Sequence, residues 1–309
     1  MKKVIITGAT SFIGRHLINE LTKHDYKIYA IVRQMSQKAL KLSELKNVYL
    51  INLEMAKYSE IDQYIDTDCD YLIHFAWEGT RGLDRDNESL QYNNYYYSME
   101  LVNAAINLGC KTIISAGSQA EYGICNEVIS EYHSCKPTTE YGRYKLKFYE
   151  DTYEICEKNN VSFKEPRFFS LYGLDDYEGT MIISTIKKML NNEICNFTEA
   201  KQMWNFLHID DAIKGIIALI EKECQDGVYN FGSDDTRKLR EYIEEIKSLC
   251  NSSSELNFGS IPYPSTGIVS IQPDNTKLKE ETGWVPQISF NEGINKIISY
   301  IRESNNEKN

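Results

Sequence analysis

The sequence predicts an α/β fold with a doubly wound parallel sheet and a smaller C-terminal α/β lobe. Three observations carry this. Short apolar runs alternate with helical-period segments through the first half, a glycine-bearing turn follows the first run at Gly8, and the rhythm breaks after residue 170. Strand-helix-strand repetition needs right-handed crossovers, and these place helices on both faces of a parallel sheet.

The runs Val4–Thr7, Ile28–Val32, Val48–Ile51, Tyr71–Phe75 and Thr112–Ser115 read as buried strands, because parallel strands covered on both sides are apolar throughout. Leu17 and Leu21 mark an amphipathic helix after Gly14, and Ser89–Leu108 a long one ending at the left-handed cap Gly109. The Tyr95-Tyr96-Tyr97 run is expected on a core-packed helix face. A helix over Glu140–Asn159 and a strand over Val161–Phe169 follow.

Shorter elements come next: Met181–Leu190, Asn205–Ile209, Asp210–Glu221 and Gly227–Phe231. Ser252–Thr276 holds three of the six prolines and reads as loop and short strands; a final helix spans Asn291–Ile301 before a frayed tail, Glu303–Asn309. Residues 1–170, with a strand and helix returning from about 205–231, form the dinucleotide-binding domain of this reading, and 171–309 mainly the substrate lobe.

A charged fraction of 26% and a hydrophobic fraction of 42% are those of a globular chain. Net charge −11 without a Lys/Arg cluster argues against nucleic acid and anionic membranes. Eight cysteines without a Cys-x-x-Cys pair, and five histidines that do not cluster with them, indicate reduced thiols and no metal site. The apolar run behind Met1-Lys2-Lys3 is only Val4-Ile5-Ile6, too short for a signal peptide, so a cytoplasmic location is expected.

Gly8-Ala9-Thr10-Ser11-Phe12-Ile13-Gly14 stands between the first strand and the first helix. There a pyrophosphate meets the helix dipole and free N–H groups, as in a Rossmann-type fold. A second motif carries the chemistry. Tyr141-Gly142-Arg143-Tyr144-Lys145 is a Tyr-x-x-x-Lys run that puts a phenol and an ammonium one turn apart on a helix. A free phenol, with a pKa of about 10, exchanges protons readily near neutrality only if a cation stabilises its phenolate. Tyr132/Lys136 has the same spacing, but Pro137 argues against a helix there.

These motifs together resemble the extended short-chain dehydrogenase/reductases of the NAD-dependent epimerase/dehydratase family, over essentially the whole chain. Ser11 stands at the family's middle glycine, where it either crowds the turn or lends a hydroxyl to an anion. The resemblance implies cofactor contacts from Gly8, Thr10, Ser11, Phe12, Ile13 and Gly14, from Asn52-Leu53, from Phe75-Ala76 after His74, from Asn94, and from Tyr141 and Lys145. Arg33 ends the second strand where an NAD enzyme of this kind places an acid. It either pairs with the 2′-phosphate of NADP or is a solvated strand-end arginine, so NADP is the expected cofactor and NAD the alternative.

Within Ser115-Ala116-Gly117-Ser118-Gln119-Ala120-Glu121-Tyr122-Gly123 the resemblance makes Ser118 the third catalytic group, with Ser115 as the alternative. Trp77, Gln119, Ser170 and Trp204 are the implied substrate contacts, the last two replacing the family's asparagine and arginine. Asn230-Phe231-Gly232 and Gly283-Trp284-Val285-Pro286 extend the match. Dehydratases of the family carry acids where Gln119 and Ala120 stand.

The implied activity is therefore NADPH-dependent reduction of the C4 ketone of an NDP-4-keto-6-deoxyhexose in deoxysugar biosynthesis, similar to reductases of the abequose-synthase type. A nucleotide-sugar 4-epimerase with tightly bound NAD is the alternative. A homodimer through the two long helices is expected by analogy with the family.

Overall fold

The computed structural model of the chain describes residues 1–65, 68–263 and 267–306. It contains two compact units: Met1–Ile124 with Glu131–Phe168 and Ile216–Tyr229, and Cys125–Ser130 with Phe169–Gly215 and Asn230–Asn309. The elements of the first 168 residues are β1 (Lys2–Thr7), α1 (Phe12–Leu21), β2 (Tyr26–Val32), α2 (Gln37–Ser43), β3 (Val48–Asn52), β4 (Tyr71–His74), α3 (Glu88–Asn107), β5 (Thr112–Ser115), β6 (Gly117–Ser118), α4 (Glu140–Lys158) and β7 (Ser162–Phe168). Stretches of 3₁₀ helix occupy Met55–Gln63, Gly82–Asp86 and Gln119–Glu121.

Beyond them come β8 (Leu171–Tyr172), α5 (Met181–Leu190), β9 (Cys195–Phe197), β10 (Met203–Asn205), β11 (Leu207–His208), α6 (Ile209–Glu221), β12 (Gly227–Phe231), β13 (Thr236–Lys238), α7 (Leu239–Cys250), β14 (Leu256–Phe258), α8 (Thr276–Thr282) and α9 (Phe290–Asn306).

The main sheet has the order β12-β7-β5-β4-β1-β2-β3, with β6 pairing β7. Val4 of β1 lies between Ile28 of β2 and Tyr71 of β4, in parallel on both sides. From β1 the chain builds outward through β2 and β3, then crosses back to β4. The order thus reverses between β1 and β4, and their carboxyl ends frame the crevice in which such sheets take ligands. Burial of Val4, Ile5, Ile6 and Thr7 in succession reflects helices on both faces.

Local chemistry starts and stops the helices. Ser11, Asn87 and Thr139 accept hydrogen bonds from the N–H groups of Gly14, Leu90 and Gly142 and cap α1, α3 and α4. After α3 the chain turns at Gly109, whose φ of 79° favours glycine. Tyr95 and Tyr97 of α3 pack against the core as expected, whereas Tyr96 is exposed.

The second unit departs from the sequence reading in the unforeseen helices α7 and α8 and at two further places. The strand expected over Asn205–Ile209 is two: β10 pairs antiparallel with β13, and β11 pairs parallel with β8. Asn205, fully buried, makes the break by donating to the carbonyls of Ser233 (2.9 Å) and Asp235 (3.1 Å) and accepting from Ser233 N–H. The final helix continues to Asn306, so Glu303 to Asn306 are helical; residues 307–309 of the expected tail, and 264–266 of the expected loop, lie outside the described residues. Tyr242 of α7 and Phe290 of α9 meet at 4.6 Å between ring centroids and anchor a core that includes Ile186 of α5.

Candidate active site

Helix α4 brings Tyr141 and Lys145 to one buried face. Gly142 between them is obligatory, because a Cβ there would lie 2.5 Å from the carbonyl oxygen of Ala120. Tyr144 turns to α3 and packs on Tyr92 and Tyr95. The alternative Tyr132 is 87% exposed on a non-helical segment.

Ser118 ends β6 and caps the following turn: its hydroxyl accepts from Ala120 N–H at 3.2 Å, and its own N–H donates to Glu121 at 2.7 Å. The same side chain lies beside Tyr141 and favours its ionised form. Ser115 instead is sealed in the sheet with its hydroxyl toward the carbonyl of His74. Of the two serines, only Ser118 is placed beside the phenol.

Burial pushes the Tyr141 phenol up, while the Ser118 hydroxyl and the Arg85 guanidinium pull it back. Lys145 has its ammonium 3.8 Å from the centre of the Trp77 ring and donates to the carbonyl of Ala116 at 2.8 Å. Desolvation lowers it to about 8, against the opposing pull of Glu121 and Glu165. Beneath these groups Arg167 bridges Glu121 (2.7 Å) and Glu165 (3.0 Å), all three essentially without solvent. Sequence reasoning passed over both glutamates and Arg85. The available signal was Glu165-Pro166-Arg167, charged residues inside an otherwise apolar strand.

A dinucleotide fits the turn between β1 and α1. Gly8 has φ 64°, and a Cβ on it would stand 2.8 Å from the backbone of Phe75 and Ala76, so the turn and the end of β4 approach as only glycine permits. First-turn N–H groups such as those of Phe12 and Ile13 have no intrahelical acceptor and suit a phosphate. Ser11 spends its hydroxyl on the Gly14 N–H at 3.0 Å, and Thr10 offers its carbonyl to Arg15 at 2.8 Å. Here Ser11 is a helix cap.

Around the turn, each remaining expected residue has a place. Arg33 forms an ion pair with Glu78. The Asn52 amide, oriented to satisfy its partners, donates to the carbonyls of Arg33 (3.0 Å) and Val32 (3.2 Å), and Leu53 is buried behind it. His74 lies between Thr7 (2.7 Å) and Ser98 (2.8 Å). Ser98 donates to the Asn94 carbonyl, so His74 Nε2 carries the proton. Complete burial drops the imidazole to about 3, which keeps it neutral. Thr7 also accepts from the Ala76 N–H, next to the buried Phe75. Asn94 clamps the backbone of Glu78 with both ends of its amide, each at 2.9 Å.

In the second unit, Ser170 and Trp204 line one cavity of about 310 Å³ together with Thr180, Tyr172 and Phe206. Trp204 Nε1 and Thr180 Oγ1 are buried polar atoms without a hydrogen-bond partner, an arrangement that favours an incoming acceptor. Gln119 and Trp77 belong to the first unit, where the Trp77 indole donates to Gln91 at 2.7 Å.

The profile of the NAD dependent epimerase/dehydratase family matches residues 4–232. CDP-abequose synthase of Salmonella muenchen is 27% identical over 307 residues, covering 96% of this chain and 97% of that protein. dTDP-4-dehydro-6-deoxyglucose reductase of Escherichia coli is 25% identical, covering 97% of each. The crystal structure of UDP-glucuronic acid 4-epimerase from Bacillus cereus in complex with NAD shares the fold, with a TM-score of 0.83 at 21% identity over 97% of this chain and 99% of that one. The chain belongs to the NAD dependent epimerase/dehydratase family and is an enzyme of the extended short-chain dehydrogenase/reductase type. No helix among the described residues is long and apolar enough to cross a membrane.

Proposed function

We propose that this member of the NAD dependent epimerase/dehydratase family reduces the C4 ketone of an NDP-4-keto-6-deoxyhexose, with NADPH as the preferred cofactor. The observation that carries the reading is the placement of Ser118 beside Tyr141, followed by the non-acidic Gln119 and Ala120. Reduction at one carbon needs one hydride and one proton, whereas dehydration needs further acid–base groups at neighbouring carbons. The next carboxylate, Glu121, is committed to the Ser118 N–H and to Arg167.

The turn between β1 and α1, with Lys145, would hold NADPH, whose nicotinamide would supply hydride for the carbonyl carbon. Ser118 donates a hydrogen bond to the carbonyl oxygen and fixes its direction. Tyr141 gives its phenolic proton to that oxygen as negative charge develops there, and solvent returns a proton to the phenolate. Lys145 holds the ribose hydroxyls and adds positive charge. Two relatives, one named a synthase of CDP-abequose and the other a 4-dehydro-6-deoxyhexose reductase, support a 4-keto-6-deoxyhexose as substrate. Ser170, Trp204, Trp77 and Gln119 are the proposed sugar-nucleotide contacts.

A second reading, a 4-epimerase with retained NAD, draws on the Glu78 carboxylate paired with Arg33, because a carboxylate there can accept from an unphosphorylated ribose. Incubating the purified protein with a panel of NDP-4-keto-6-deoxyhexoses and NADPH, following nicotinamide absorbance and then identifying the sugar, separates the two. Consumption of NADPH with one 4-hydroxy product supports the reductase. NAD retained through purification, with no net oxidation of NADPH, supports the epimerase. We also place the enzyme in the cytoplasm, in keeping with its eight free cysteines, and expect a homodimer through α3 and α4, where Tyr92 and Tyr96 are about half exposed.

A further inference from the structure

Between β4 and α3 the chain makes an irregular excursion, Trp77 to Asn87, that is more firmly built than its exposure suggests. Gln91 of α3, fully buried, holds it from within. Its amide nitrogen donates to the carbonyls of Gly79 (3.0 Å) and Asp84 (2.9 Å), and its oxygen accepts from the Trp77 indole (2.7 Å). Asp86, at the far end, accepts from the N–H of Glu140 at 3.3 Å and so joins the excursion to the first turn of the catalytic helix. Gly79 and Gly82 take left-handed φ values of 63° and 60°, which make the reversal possible.

The frame sets the Trp77 ring edge-on to the catalytic tyrosine and delivers one cation onto it, Arg85. Its guanidinium carbon lies 4.6 Å from the centre of the Tyr141 ring, and one of its nitrogens donates to the carbonyl of Thr80 at 3.3 Å. Lys145, by contrast, is directed to Ala116 and the Trp77 ring. We propose that Arg85 is a second active-site cation, a positioning residue that stacks on Tyr141 and stabilises its phenolate. The proposal builds on the assignment of Tyr141 as the proton donor.

The charges facing Tyr141 come from every side. Glu121 and Glu165 oppose the phenolate, Ser118 favours it, Lys145 stands one turn along α4, and Arg85 covers the ring. A guanidinium is suited to this place because it stacks flat on an aromatic face and keeps its charge at every working pH. It offsets the two buried carboxyls that would otherwise hold the phenol protonated. An opposite charge at this range displaces a titration by roughly one to three pH units.

The test reads Tyr141 directly, without substrate. Tyrosinate absorbance is followed after rapid jumps between about pH 7 and 12, and subtracting a Tyr141→Phe background isolates the one phenol. Arg85→Met should move the Tyr141 midpoint upward by about one pH unit, and Arg85→Lys should recover at least half of that. An unchanged midpoint in Arg85→Met overturns the proposal; so does a midpoint in Arg85→Lys as displaced as in Arg85→Met while its thermal unfolding matches the wild type. If Arg85→Met unfolds early, Arg85→Lys against wild type decides alone, a displacement larger than that of an Arg81→Lys control counting for the proposal and an equal one against it. Turnover does not enter, so failure on every nucleotide sugar would sink the reductase reading and leave this result standing.

Discussion

Glu121 and Glu165 share one guanidinium: Arg167 reaches the first at 2.7 Å and the second at 3.0 Å, and both carboxyls have no solvent exposure. One cation beside two buried carboxyls leaves one of them better served by a proton. Burial and the Glu121 charge push Glu165 well above its ordinary 4.5, while Arg167 and Lys145 pull it down. The pair is therefore asymmetric, with Glu121 holding Ser118 and Arg167, and Glu165 carrying the proton.

This asymmetry predicts opposite outcomes for two isosteric changes. Glu165→Gln should alter stability by less than about 1 kcal/mol, since an amide replaces a neutral carboxyl, whereas Glu121→Gln should cost about 3 kcal/mol by leaving Arg167 without its full partner. The pH dependence follows from the direction of the shift. A carboxyl whose folded value is raised binds its proton more tightly in the folded state, so stability is complete below about pH 4.5 and declines as pH rises toward the folded value. Thermal unfolding of the wild type between pH 5 and 8 should show that decline, and Glu165→Gln should lack it. Equal damage from both substitutions would show that both carboxyls are ionised.

Lys145 is lowered to about 8 by burial, so the ammonium proposed to hold the ribose is present below that pH and lost above it. Cofactor affinity should fall by about tenfold per pH unit above pH 8. Calorimetric titration across pH 7 to 9.5 checks this, and Lys145→Met should bind weakly with a flat profile. Tyr141→Phe should keep the affinity and its profile while abolishing turnover, because only the transferable proton is removed.

Much of the first unit was legible because its signals are local. Apolar runs give strands, Gly109 stops a helix, and Pro137 rejects the wrong tyrosine. Elements without such signals were not located: α7 follows Lys238 and α8 follows Asn275, and neither residue makes a capping side-chain hydrogen bond. The buried charges were hidden for another reason. Lys164, Glu165 and Arg167 would normally mark a solvated strand, yet here Lys164 donates to the Leu219 carbonyl at 3.0 Å and Arg167 donates to Glu165. Arg85 was beyond reach, since its position follows from two left-handed glycines and the three partners of Gln91, a tertiary arrangement with no sequence period.

Trp204 offers a test of the second unit by itself. Its indole N–H is buried without a partner on the wall shared with Ser170 and Thr180. Trp204→Phe keeps an aromatic ring and removes the donor together with the outer part of the indole. If a nucleotide sugar accepts from it, affinity should drop about five- to tenfold, the worth of one hydrogen bond. Calorimetry with a nucleoside diphosphate sugar reads this without catalysis, and undiminished affinity would place the ligand elsewhere.

Cofactor choice turns on Arg33 and Glu78. Arg33 stands after β2, where the adenosine ribose is expected, and its planar guanidinium can hold a 2′-phosphate by two hydrogen bonds. A charge-assisted contact of this kind contributes roughly 1.5–3 kcal/mol, so NADPH should bind about ten- to a hundredfold more tightly than NADH. The ion pair with Glu78 reduces this advantage, because the phosphate must displace a carboxylate already seated on the guanidinium. Both side chains are largely solvated, and exposed pairs are worth at most about 1 kcal/mol, so Glu78→Gln should tighten NADPH by no more than about fivefold and leave NADH unchanged. Arg33→Asp should reverse the preference by repelling the phosphate and offering a carboxylate to the bare ribose. Fluorescence titration of wild type and both variants with each cofactor distinguishes the possibilities. Equal binding of NADH and NADPH by the wild type, with NADH weakened by Glu78→Gln, would make Arg33 a strand-end cation without a phosphate to hold, and the retained-NAD epimerase would become the better reading.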